Sequence, residues 1–220
     1  MTVNGKEDNM SQNTPAEAQI RIVGLCGSLR EGSHTRMALN IALEGAQEIG
    51  VQTQLIDLRE YNLVFCDGGD VYPEDVAKLQ QDVKAAQGIL LGIPEYHGGY
   101  SGVLKNALDL MSFDEIEGKM IGLVGVSGGV GGAANALNAL RTIGRSLHAW
   151  VIPEQAAIPH ARDVFDEEGQ LKDVGLEQRL RGVGRQVARF AFLHTSDQAM
   201  EFLRTWEGAP ANPGGETDEA

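Results

Sequence analysis

Apolar positions along the chain come in two alternating patterns. Residues 20–27 (IRIVGLCG), 88–94 (GILLGIP) and 119–127 (KMIGLVGVS) are short runs, apolar almost throughout, as in strands buried on both faces. Residues 51–58 (VQTQLIDL) alternate instead, with Val51, Thr53, Leu55 and Asp57 against Gln52, Gln54 and Ile56. Residues 148–153 (HAWVIP) make a fifth strand. Between these runs the spacing becomes helical. From Arg36 onward, Ala38, Ile41, Ala42, Gly45 and Ile49 share one face, Arg36, Asn40, Glu44 and Gln47 lie opposite, and Gly50 ends the helix. Pro73 opens a helix over 73–87, with Glu74 and Asp75 at its positive end. Leu104, Ala107, Leu108 and Met111 mark a third helix, and Ala133, Leu137, Leu140, Gly144 and Leu147 a fourth. Leu176, Leu180, Val183, Val187 and Ala191 mark a last one over 176–193. Five strands alternating with helices predict an α/β fold in which helices cover both faces of a parallel sheet. No internal repeat or linker divides the body, so one domain is expected over 20–206. The polar segments 1–19 and 207–220 read as a disordered arm and tail.

In such sheets ligands bind beyond the C-terminal ends of the strands. The loops after the first, third and fourth strands therefore carry the candidate chemistry. The first, GSLREGSHT (27–35), turns at Gly27 and offers the hydroxyls of Ser28, Ser33 and Thr35 and the charge of Arg30, just before a helix. The unpaired N–H groups of that helix end carry roughly half a positive charge. A terminal phosphate monoester suits this set. Neither GxxxxGK[ST] nor GxGxxG is present there. The alternative is helix capping alone, by Ser33 or Thr35 with Arg30 in solvent. The second loop, PEYHGGYSG (94–102), combines an acid, two tyrosines, His97 and three glycines, which suits close backbone approach to a flat ring. A glycine-rich turn with Tyr96 in the core is its alternative. The third loop, GVSGGVGGAAN (125–135), contains a GxGxxA match at Gly129, Gly131 and Ala134, with Glu154 placed as a ribose-binding acid would be. It follows the fourth strand rather than the first, which already has an anion loop, and this disfavours the fingerprint; a tight turn of small residues is the alternative.

The formal net charge of the 220-residue chain is −13. Such a surface disfavours nucleic acid and anionic membranes as partners. An anionic ligand needs a local exception, which Arg30 and Arg36 supply. The two cysteines, Cys26 and Cys66, form no CxxC or Cys/His set with metal-ligand spacing, so no metal is expected and both thiols read as reduced. No apolar run approaches the ~20 residues of a membrane span, and residues 1–19 lack a signal-peptide core, so the expected compartment is the cytoplasm.

Taken together, GSLREGSHT, PEYHGGYSGVLKNALD and, less specifically, VSGGVGGAAN resemble the NADPH-dependent FMN reductase family, the flavodoxin-like reductases of flavins, quinones, azo dyes and chromate. The resemblance implies a three-layer flavodoxin-like fold with a five-stranded parallel sheet in the order 2-1-3-4-5. It implies that Ser28, Arg30, Ser33 and Thr35, with the backbone of His34, hold the FMN phosphate. It further implies that Pro94, Glu95, Tyr96, His97 and Gly98 line the isoalloxazine and that Ser127, Gly128 and Gly129 close its other edge. The chain departs from the family pattern at His97, where Asn is commonest, at Gly99, where Ser is, and at Ser101, where Pro is. The implied chemistry is ping-pong: hydride passes from NADPH or NADH to FMN, then to a small-molecule electron acceptor. No acid–base pair of the protein is then required, because the cofactor carries the reaction. A homodimer or homotetramer is the implied assembly. Two other classes remain open at this point: a flavodoxin-like electron carrier without NAD(P)H activity, and a non-flavin dinucleotide-binding α/β protein using the third loop.

Overall fold

A computed structural model describes residues 20–69, 71–196, 200–202 and 204–205. The proposed arm, 1–19, and tail, 207–220, lie outside the described residues. In chain order the elements are β1 (Arg21–Cys26), α1 (His34–Gln47), β2 (Gln52–Asp57), α2 (Glu74–Lys84), β3 (Gly88–Tyr96), β4 (Gly99–Tyr100), α3 (Gly102–Asp109) and α4 (Phe113–Ile116), followed by β5 (Met120–Val126), α5 (Ala134–Ser146), β6 (Trp150–Ile158), α6 (Ala161–Val164) and α7 (Val174–Thr195). The parallel strands run in the order β2-β1-β3-β5-β6, and the short β4 pairs antiparallel with the end of β3. This is the expected 2-1-3-4-5 order with one hairpin strand added. The direction of progression reverses between β1 and β3, so a crevice opens there at the strand C-termini.

The apolar runs of β1, β3 and β5 are explained by two cores, one on each face. Ile22, Leu90 and Val124 pack with α1 and α7 in one core. Val23, Leu25, Ile89, Leu91, Ile93, Ile121 and Leu123 pack with α2, α3 and α5 in the other. Burying one such aliphatic side chain contributes roughly 1.5–3 kcal/mol, so a continuous apolar strand stabilises both layers at once. Among the described residues, no helix is long and apolar enough to cross a membrane.

The inward face of α1 is wider than its expected stripe. Thr35, Leu39, Leu43 and Ala46 are buried along with Ala38, Ala42 and Gly45, because α1 lies against both the sheet and α7. Ile49 lies beyond the helix end and is 48% exposed. The larger difference is β6, which continues to Ile158. Its pairing with β5 shifts register between Ile121 and Leu123, where Val151 and then Gln155 are the partners. Pro153, which has no N–H to give, sits in that irregularity. Arg141 on α5 takes up the free carbonyls, donating from Nη1 to Ile152 O and from Nη2 to Pro153 O, both at 2.9 Å.

Candidate functional site

The loops after β1, β3 and β5 converge on one cavity of about 500 Å³ at the crevice. The first loop is built by the helix end. Ser33 is the N-cap of α1, its Oγ accepting from Arg36 N at 3.2 Å. Ser28 Oγ accepts from Arg30 N at 3.4 Å, and Ser28, Ser33 and Thr35 are all buried. Capping and anion binding are therefore not alternatives, since one N-cap leaves other N–H groups of the first turn unpaired. Arg30 lies 5.5 Å from the centre of the Tyr96 ring, within cation–π range, and has no acidic partner among the described residues. Gly27 is fixed between loops: its N–H donates to Gly92 O at 2.9 Å, and its carbonyl accepts from Ser101 Oγ at 2.6 Å. Ser101 also caps α3, accepting from Leu104 N at 3.2 Å.

In the second loop, Tyr96 pairs with Gly99 and Glu95 with Tyr100, which leaves His97 and Gly98 as a two-residue hairpin turn. Both have positive φ, 51° and 78°, as a type I′ turn requires. Asn, whose short amide can hydrogen-bond locally, visits that conformation more readily than His, so the first turn position explains why Asn suits it. Replacing His97 with Asn is expected to raise stability by up to about 1 kcal/mol and to leave FMN affinity within about twofold. Chemical denaturation and flavin titration check both. Glu95 turns to the third loop, where its Oε2 accepts from Ala136 N at 3.0 Å in the first turn of α5. In that loop Ser127 Oγ donates to Gly129 O at 2.9 Å.

Ser28, Arg30, Ser33, His34, Thr35, Pro94, Glu95, Tyr96, Ser127 and Gly128 all line the cavity. His97 and Gly98, at the hairpin tip, and Gly129, behind Ser127, lie outside its wall. Arg36 does not line it either. Its guanidinium pairs with Asp57 at 3.0 Å, so of the two arginines expected to serve an anion only Arg30 lines the cavity. Glu154 sits mid-strand in β6, away from the cavity wall, because β6 runs four residues past it. The acid that the dinucleotide reading needs is therefore not at the third loop.

The segment after β6 carries no motif, and its sequence leaves open whether it covers the site or only leads to the last helix; it adds His160, Ala161, Arg162 and Asp163 to the wall. Backbone bonds staple it to the third loop. Ser127 N donates to Ile158 O at 2.9 Å, Ala161 N to Ser127 O at 3.0 Å and His160 N to Gly129 O at 3.2 Å. Such bonds leave no trace in side-chain types. The one available signal was Phe165, a lone aromatic in an acidic stretch, which is buried and stacks on His34 with ring centres 5.0 Å apart. Burial, and then the nearby charges of Arg162 and Arg30, hold the His34 imidazole below its ordinary pKa. Arg30 and Arg162 share the cavity wall with the carboxylates of Glu95 and Asp163. Among the described residues, no cluster of three or more His, Cys, Asp or Glu side chains could hold a metal ion.

Residues 20–163 match the model of the NADPH-dependent FMN reductase family. The chain is 32% identical over 174 residues to an FMN-dependent NADPH-azoreductase of Staphylococcus aureus, covering 76% of this chain and 92% of that one. It is 30% identical over 172 residues to an NAD(P)H-dependent FAD/FMN reductase of Geobacillus thermodenitrificans, covering 76% and 91%. Its fold is similar to that of FerB, a flavoenzyme NAD(P)H:(acceptor) oxidoreductase of Paracoccus denitrificans, with a TM-score of 0.67, 23% identity and coverage of 80% and 98%. The chain belongs to the NADPH-dependent FMN reductase family. It is thus an oxidoreductase of flavodoxin-like fold, with FMN as cofactor and NAD(P)H as co-substrate. The residues present fit that cofactor. The hydroxyl-lined helix end and Arg30 suit a single phosphate, and the cavity lies in the range of about 300–1,000 Å³ usual for ligand clefts.

Proposed function

We propose that the cavity holds FMN with its phosphate on the first loop and its ring against the second, and that the protein is a ping-pong NAD(P)H reductase. Ser28, Ser33 and Thr35 donate hydroxyl hydrogen bonds to the phosphate, Arg30 supplies its counter-charge, and the N–H groups around His34 complete the cradle. Pro94, Glu95 and Tyr96 lie along the ring, with His97 and Gly98 fixing the hairpin that carries them. Ser127 and Gly128 meet the other edge, with Gly129 orienting the Ser127 hydroxyl. The observation that carries this reading is the convergence of a hydroxyl-lined helix N-terminus and the Tyr96 hairpin on one cavity at the switch point. Bound FMN would supply the hydride-transfer chemistry between NAD(P)H and a second substrate, in separate half-reactions. The chain binds and orients both partners and presents backbone N–H groups where negative charge develops. The acceptor is a small molecule that stacks in the same place: a flavin, a quinone or an azo compound.

The double variant Arg30→Ala with Ser33→Ala is expected to weaken FMN binding at least about tenfold, close to 1.4 kcal/mol. Unchanged FMN affinity in that variant would remove the phosphate from the first loop. Stopped-flow mixing of the FMN-loaded protein with NADPH, then with NADH, tests the activity. A protein that stays oxidised with both is an electron carrier instead of a reductase.

A further inference from the structure

Behind the first loop lies a charge cluster that the proposed chemistry does not use. Asp57, the last residue of β2, stands beside Cys26 at the C-terminal end of β1 and is only 5% exposed. Arg59 binds it from one side, through its backbone N–H at 3.1 Å, Nε at 3.1 and 3.2 Å and Nη2 at 2.8 Å. Arg36 binds it from α1, Nη1 to Oδ2 at 3.0 Å. Burial alone would push the Asp57 carboxyl up. The bonds from Arg59 and the charge of Arg36 outweigh that and hold it below the ordinary carboxylate range, so it is ionised at neutral pH.

Arg36 uses its other N–H groups on the loop. Nη1 donates to Arg30 O at 3.4 Å and Nη2 donates to Glu31 O. A planar trans peptide points its N–H opposite to its C=O. Fixing the carbonyls of Arg30 and Glu31 on Arg36 therefore turns the N–H groups of Glu31 and Gly32 away from it, and Gly32 is on the cavity wall. Without this tie the loop would be free to turn those carbonyl oxygens toward an incoming anion. Asp57, shared with Arg59, in turn pairs with Arg36, whose side chain is 18% exposed, and fixes the plane of its guanidinium.

We propose that Arg36 and Asp57 are positioning residues that hold the first loop with its N–H donors set for a phosphate monoester, so that they govern recognition of the phosphate of FMN and not of its ring. This rests on the reading that the first loop holds that phosphate. Preorganised donors gain affinity because their ordering has already been met by folding.

The test uses the full-length apoprotein, titrated with FMN and with riboflavin, which has the same ring and no phosphate. The Arg36→Gln variant is expected to bind FMN at least about tenfold more weakly and riboflavin within about threefold of the unaltered protein. Asp57→Asn is expected to move in the same direction by less, and serves alone if Arg36→Gln does not fold. The double variant should be no worse than Arg36→Gln, because the two act through one another. Equal weakening toward both ligands would make the pair a packing feature and overturn the proposal, as would an unchanged preference for FMN. An unaltered protein that does not prefer FMN over riboflavin would instead overturn the placement of the phosphate.

Discussion

Replacing Gly184 with alanine is expected to destabilise the protein by about 3 kcal/mol or more, at the upper end of overpacking effects. A Cβ at Gly184 would lie 1.7 Å from Ala42 O and 3.0 Å from Ala46 N. Facing it, a Cβ at Gly45 would lie 2.2 Å from Arg181 O and 2.4 Å from Arg181 Cα. All of these are backbone atoms of the opposite helix, and no rotamer change moves them. The contact between α1 and α7 at these glycines is backbone against backbone. An added methyl must push the helices apart, and the gap opens the core that contains Leu39, Leu43, Leu180, Val183 and Val187. At about 2–4 °C per kcal/mol for a chain of this size, the thermal midpoint should fall by roughly 6–12 °C. Because α1 carries Ser33 at its N-terminus, FMN should also bind more weakly. Gly182, two residues away on α7, has no atom within 4 Å of the place a methyl would occupy. Alanine there is expected to stabilise by up to about 1 kcal/mol, as helix propensity predicts. A Gly184→Ala protein that melts with the unaltered one would show that the helices do not cross this closely.

What the sequence made legible follows physical lines. Strands buried on both faces are apolar throughout, so β1, β3 and β5 can be read directly, and the helices between them follow from periodicity. The candidate loops are legible because hydroxyls, glycines and one arginine cluster immediately after those strands. What is not legible depends on backbone or on distant partners. Pro153 ends the expected fifth strand, yet β6 passes through it by a register shift, with Arg141 bonded to the carbonyls that the ladder leaves free. That difference is why Glu154 reads as a strand-end acid from sequence alone. The segment after β6 is tied to the site by main-chain bonds, so no side-chain pattern announces His160 or Arg162. Arg36 reads as charge for an anion because Asp57, 21 positions away, cannot be paired with it from spacing alone. Gly27 reads as a sharp turn, but its φ is not positive; close packing is what requires glycine there.

That close packing makes Gly27→Ala the second large expected effect, this time on the site itself. A Cβ at position 27 would stand 2.8 Å from Leu104 Cβ, 3.0 Å from Gly92 O and 3.1 Å from Ser101 Oγ. Leu104 Cβ is bonded to the backbone of α3 and Gly92 O belongs to β3, so only Ser101 Oγ can swing aside. Relief requires α3 to move away from the end of β1. The motion would break the bond from Ser101 Oγ to Gly27 O and separate the first loop from the second, the two sides on which phosphate and ring are proposed to rest. Overpacking of this kind costs about 1–3 kcal/mol, and FMN affinity is expected to fall at least about tenfold. Ser101→Ala separates the steric effect from the lost bond. It removes the tie and the cap of α3 without adding an atom, and should cost about 1 kcal/mol of stability with a smaller loss of FMN affinity. Flavin titration and thermal unfolding of both variants decide between them. If Gly27→Ala melts early yet binds FMN as tightly as the unaltered protein, the spacing of these loops does not set the site. If Ser101→Ala loses as much affinity as Gly27→Ala, the single hydrogen bond between the loops, and not their packing, holds the two halves in register.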